Sequence, residues 1–83
     1  MVHLKRKDRV KLGLLKSGEI ATLAGVLPST IRYYSRLGLL EVSEYTQGKY
    51  KLFKKEETLA RIAKIIELKN KRLMLDEIKK ELA

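Results

Sequence analysis

The chain has 83 residues, with 19 Lys plus Arg against 10 Asp plus Glu, a formal net charge of +9, one histidine and no cysteine or tryptophan. That length holds a single core. The absence of thiols excludes a disulfide framework, cysteine catalysis and a cysteine-ligated metal. No apolar run approaches the roughly 18 residues of a membrane span, and the N-terminus lacks the apolar core of a secretory signal. The expectation is a cytoplasmic domain whose self-repulsion a polyanion would relieve, nucleic acid before an anionic membrane surface, with solubility alone as the bland alternative.

Residues 1–13 read as a basic N-terminal arm or short helix outside the core, carrying Lys5, Arg6, Lys7, Arg9 and Lys11 against Asp8. The folded domain is expected over 14–83. Ser17 is placed to cap a helix with Glu19 in its first turn and Ile20, Leu23 and Ala24 on one apolar face. Gly25 ends that helix as a left-handed cap. Pro28 then opens a second helix at its first position, where the missing N–H costs nothing, and this helix runs to about residue 37 and stops at Gly38. Two short helices around a glycine-containing turn form a helix-turn-helix pattern.

After Gly38 the period changes. Leu40 and Val42, then Tyr50 and Leu52, alternate with polar residues on either side of Gln47-Gly48, which predicts a β-hairpin. From about Lys55 a helical period returns, with Leu59, Ile62, Ile65, Ile66 and Lys69 on one face, and a final short helix carries Leu75, Ile78 and Leu82 inward. The fold class is mainly α, a winged helix-turn-helix: helix, turn, helix, hairpin wing and two further helices.

All five aromatics fall between positions 33 and 53, within the second helix and the hairpin. On that helix Leu27, Ile31 and Tyr34 share one face by spacing, leaving Ser29, Thr30, Arg32, Tyr33 and Arg36 to project outward. Arginine suits such a face because its planar fork pairs with guanine edges or phosphate. An exposed Arg pair at i, i+4 is equally at home as a solvated face. The hairpin places Lys49 and Lys51 on the side opposite Tyr50 and Leu52, followed by Lys54, either to lie along phosphates or to protect a strand edge. His3 stands alone and carries no metal or catalytic expectation. The carboxylates Glu56, Glu57, Asp76 and Glu77 sit where they complement helix dipoles. No phosphate loop, metal cluster or catalytic triad is present, so no enzyme activity and no cofactor are expected.

These residues resemble the N-terminal DNA-binding domain of the MerR family of bacterial transcription regulators. The resemblance rests on Gly18-Glu19-Ile20-Ala21 through Gly25-Val26, on Pro28-Ser29-Thr30-Ile31-Arg32-Tyr33-Tyr34 with its Arg36-Leu37-Gly38-Leu39-Leu40 exit, on Tyr50-Lys51-Leu52-Phe53 and on Leu75-Asp76-Glu77-Ile78-Lys79. It spans roughly residues 15–82. It implies a second helix in the major groove of double-stranded DNA, contacts by Arg32, Tyr33 and Tyr34, a phosphate grip at Lys51, and a second wing around Lys69, Lys71 and Arg72. Periodicity makes Tyr34 an inward anchor and the resemblance makes it a DNA contact; ring and hydroxyl can serve both ends.

The chain departs from the family pattern at several places. Leu27 and Met74 stand where polar helix caps are usual, Arg72 stands for a glycine, Lys51 for an arginine and Phe53 for a tyrosine. Family members continue into a dimerisation helix and an effector-binding domain, so this chain reads as a fragment or a stand-alone domain. Without cysteine it is not a thiolate-based sensor. The leading expectation is a sequence-specific regulator, nucleoid-associated in the cytoplasm. Self-association on adjacent DNA sites, or another protein partner, is compatible with it. The alternatives are an excisionase-like or architectural DNA-binding protein, and a module that docks an acidic protein or RNA.

Overall fold

The computed structural model describes residues 6–82. The elements are α1 (Arg6–Lys11), β1 (Leu14–Lys16), α2 (Ser17–Ala24), α3 (Pro28–Arg36), β2 (Glu44–Tyr45), β3 (Lys51–Lys54), α4 (Lys55–Asn70) and α5 (Leu75–Leu82). Helices with a small antiparallel sheet, in this order, make a winged helix-turn-helix. Positions 1–5 of the expected basic arm, His3 and Lys5 among them, lie outside the described residues.

The helix-turn-helix follows from backbone chemistry. Gly25 closes α2 at φ 71°, a left-handed conformation that side chains with a Cβ resist. Its N–H and that of Val26 bond back to the Thr22 and Ala21 carbonyls. Pro28 begins α3, and Gly38 at φ 79° turns the chain out of it. Ser17 does not cap α2. It is the first helical residue, and Lys16 holds the cap position. The Lys16 N–H is instead accepted by Glu19 Oε1 at 2.8 Å, the reciprocal half of a capping box.

The sheet has one strand more than the hairpin expected from sequence, and the first hairpin strand is Glu44–Tyr45 rather than the alternating Leu40 and Val42, which pack on the core ahead of it. β1 pairs antiparallel with β3, Leu15 opposite Phe53, and β3 also pairs with β2, giving the order β1-β3-β2. The short strand ahead of α2 thus clamps the wing to the helical core. Leu52 and Phe53 are both buried although successive strand residues point to opposite faces, so both faces of β3 are covered at this point. Tyr50, expected to share the face of Leu52, precedes the strand and is 63% exposed.

The core gathers Leu15, Ile20, Ala21, Ile31, Tyr34, Leu39, Leu40, Phe53, Ile62, Ile65, Leu68 and Ile78. Burying each large aliphatic or aromatic chain contributes about 1.5–3 kcal/mol before chain entropy is charged against it. Several predicted inward positions are displaced. Leu23 and Leu27 are exposed, and Ala21 takes the place expected for Leu23. In α4 the buried line is Thr58, Ile62, Ile65 and Leu68, so Leu59 is only half-buried and Ile66 faces out. In α5 Ile78 is fully buried, with Leu75 and Leu82 packed against the core as expected.

The N-terminal segment is not wholly outside this framework. Arg9 of α1 is 4% exposed; its Nη1 reaches Glu19 Oε1 at 2.6 Å and the Leu14 carbonyl at 3.2 Å. One cation of the expected arm is therefore committed inward, docking α1 on the start of α2.

Candidate nucleic-acid interface

Along α3 the positions Ser29, Arg32, Tyr33 and Arg36 are exposed, Thr30 is half-buried, and Ile31 and Tyr34 face the core. The helix is anchored on one side and presents two guanidinium groups and a phenol on the other. Tyr33 and Tyr34 are tilted neighbours, their ring centroids 6.3 Å apart. Tyr34 is the buried member, yet its hydroxyl accepts a hydrogen bond from Lys69 Nζ at 3.5 Å, so its polar end reaches the α4 side of the surface.

An open cleft of about 640 Å³ runs between the start of α2, α3 and the wing. Arg32, Lys49 and Lys51 line it, together with Lys16, Tyr50 and Pro28. Lys16 Nζ lies 5.0 Å from the centre of the Tyr50 ring, a cation–π contact that fixes an exposed aromatic beside a cation. Lys51 is half-buried and donates from Nζ to Ser35 Oγ at 3.1 Å, joining the wing to α3. Lys16, Ser35 and Tyr50 were absent from the expected contact set. Only a neighbour in space identifies them: Lys16 enters through β1, and Tyr50 through leaving the strand.

The other expected cations lie elsewhere. Lys54 lines clefts with Glu57 and Ser43, away from Lys49 and Lys51. In the turn between α4 and α5, Lys71 donates to Glu67 at 3.3 Å, and Lys64 approaches the same carboxylate at 3.5 Å. The hydrogen bond from Lys71, then the charge of Lys64, holds the Glu67 carboxyl below its ordinary pKa. Arg72 follows in a left-handed conformation, φ 66°, and Lys49 at the wing tip has φ 64°. Among the described residues these are the non-glycine positions with positive φ, and both are cations.

The helix caps divide. Met74 lacks a capping side chain, but its N–H is accepted by Glu77 Oε1 at 3.0 Å, so α5 keeps half of a capping box. Leu27, the N-cap of α3, makes no side-chain cap bond. Arg61 supports the exit of α3 from below, donating Nε to the Leu39 carbonyl at 3.1 Å and Nη1 to the Leu82 carbonyl at 3.2 Å. No helix among the described residues is long and apolar enough to cross a membrane.

Comparison with known proteins adds an independent line. Residues 15–83 match the MerR HTH family regulatory proteins. The chain is 38% identical over 63 residues to the mercuric resistance operon regulatory protein of Bacillus cereus, an alignment covering 76% of this chain and 47% of that protein. Its fold is similar to the crystal structure of a transcriptional regulator of the MerR family from Bacillus cereus, with TM-score 0.73 and 28% identity, covering 83% of this chain and 51% of that one. The chain spans about half the length of these relatives.

Proposed function

Because the chain belongs to the MerR HTH family of regulatory proteins, we propose that it binds double-stranded DNA sequence-specifically in the cytoplasm and regulates transcription. The observation that carries this reading is the convergence of Arg32, Lys49, Lys51 and Lys16 on one cleft between a core-anchored helix and a wing. A solvated face would scatter such charges; here they line a single concavity on a chain of net charge +9.

In this mechanism α3 lies in the major groove. Arg32 and Arg36 meet base edges or phosphates, with Ser29, Thr30 and Tyr33 beside them. Tyr34 keeps its ring in the core and offers its hydroxyl toward the backbone. Lys49, Lys51 and Lys16 neutralise phosphates on the wing side, while Lys71 and Arg72 do so from the turn between α4 and α5, with Lys54 as an outlying cation. Residues 1–13 add positive charge ahead of the domain. Each cation that displaces a condensed counterion makes affinity fall with salt.

The test is selection from random duplex DNA by the purified chain at about physiological salt. An enriched motif supports specific recognition, and a tandem or inverted repeat within it would give the arrangement of adjacent copies. A bound pool with no enriched sequence would overturn sequence-specific regulation and leave charge-driven, architectural binding.

A further inference from the structure

Leu27 is exposed at 69%, more than any other large hydrophobic side chain among the described residues. It also holds the N-cap of α3, a position that favours Ser, Asn or Asp because their oxygens accept an orphan N–H. The residue therefore neither fills the core nor caps the helix. Its backbone is nevertheless held firmly: φ is −76° and ψ 145°, and its carbonyl accepts the N–H groups of Thr30 at 3.0 Å and Ile31 at 3.4 Å. An apolar side chain is thus presented on a rigid base at the leading end of α3. Pro28 follows it at the edge of the cationic cleft, and Arg32 and Arg36 lie on the same helix.

We infer that Leu27 is a specificity-determining residue that packs on the C5-methyl group of one thymine in the bound site. This rests on the proposed role of α3 as the major-groove helix. The N-terminal residues of such a helix are the ones that meet base edges. Thymine is the base that offers an apolar group there, and aliphatic contact with its methyl is a recognised mode of readout. Arg32 and Arg36, farther along the same helix, supply the attraction to the polyanion, while the Leu27 side chain has no hydrogen bond to give. It discriminates by burying a methyl that cytosine and the purines lack.

The experiment uses the purified 83-residue chain and the duplex enriched by selection. Each thymine is replaced in turn by deoxyuridine, which keeps base pairing and removes only the methyl. One replacement is expected to weaken binding about fourfold, the factor carried by burial of one methyl-sized group. In Leu27→Ala that same replacement should have no further effect, while replacements elsewhere keep theirs. Leu27→Ser should likewise lose methyl sensitivity while its melting temperature rises through the restored cap, which separates readout from folding. The inference is overturned if no thymine is methyl-sensitive, or if the sensitive one stays so in both variants. A chain that enriches no site fails at the earlier step, the proposed function itself, and Leu27 readout falls with it.

Discussion

Lys51 of the wing donates a hydrogen bond to the Ser35 hydroxyl of α3 at 3.1 Å, linking the two elements that border the cationic cleft. One ammonium thus serves two ends: it fixes the wing against the helix and keeps donors free for an anion, since a lysine carries three. The two roles separate on substitution. Ser35→Ala removes only the link and is expected to cost about 0.5–1.5 kcal/mol of stability, with a small loss of DNA affinity. Lys51→Ala removes link and charge, and should also lower the slope of log affinity against log salt by about 0.9. Fluorescence anisotropy at several salt concentrations, beside thermal melts, tells them apart; identical salt slopes for wild type and Lys51→Ala would show that Lys51 meets no phosphate.

Arg32 and Arg36 differ in their surroundings although both are exposed on α3. Arg32 lines the cleft with the wing; Arg36, in the last turn, does not. A base-reading arginine, when replaced by Ala, should cost about 1–3 kcal/mol of binding and relax preference at one base pair. A phosphate-binding one should weaken all sequences alike and reduce the salt slope. Affinities of both variants across single-base changes in the selected site assign each arginine, and full affinity in both variants would remove α3 from the groove.

What could be read from sequence was what is set locally. Gly25, Pro28 and Gly38 mark α2 and α3 because a left-handed cap and a proline start depend on one residue each. The outward set Ser29, Arg32, Tyr33 and Arg36 follows from Ile31 and Tyr34 facing inward. What was hidden depends on partners distant in the chain. β1 has three residues, too few to show a period, and exists through pairing with β3. The inner face of α4 begins at Thr58, whose polarity masks its burial and shifts the apparent stripe onto Leu59 and Ile66. Arg9 looks like one more charge in a basic run until Glu19 is seen to close on it. Leu27 matched the spacing of the apolar face, but it sits ahead of the first helical turn, where that spacing no longer applies.

The Arg9–Glu19 pair makes the N-terminal helix part of the fold. Arg9 is almost fully buried, and its guanidinium also bonds the Leu14 carbonyl at the start of β1. Replacing one partner of a buried pair costs up to about 3–5 kcal/mol. Glu19 is partly exposed, so Arg9→Met is expected to cost about 2 kcal/mol, below that limit. Lys11→Met, a charge change at an exposed site on the same helix, should leave stability within about 0.5 kcal/mol. Urea denaturation of both variants measures the contrast, and equal midpoints would mean that α1 contributes nothing to the core.

Arg72 sets stability against binding most directly. Its φ of 66° is comfortable for glycine and costs a residue with a Cβ about 1–2 kcal/mol. Glycine gives back about 0.5–1 kcal/mol through the larger freedom of its unfolded chain. Arg72→Gly should therefore stabilise the protein by up to roughly 1.5 kcal/mol net, while removing a cation from the turn that follows Lys69. If that turn is a second wing, the stabler variant binds DNA more weakly and with a shallower salt dependence. Arg72→Asn supplies the control, since asparagine tolerates the left-handed region and lacks the charge. It should share the loss of affinity with a smaller change in stability. Thermal melts and salt-titrated binding of the three proteins decide the matter: a stabler Arg72→Gly protein with undiminished affinity would make the arginine a strained residue without a phosphate to hold.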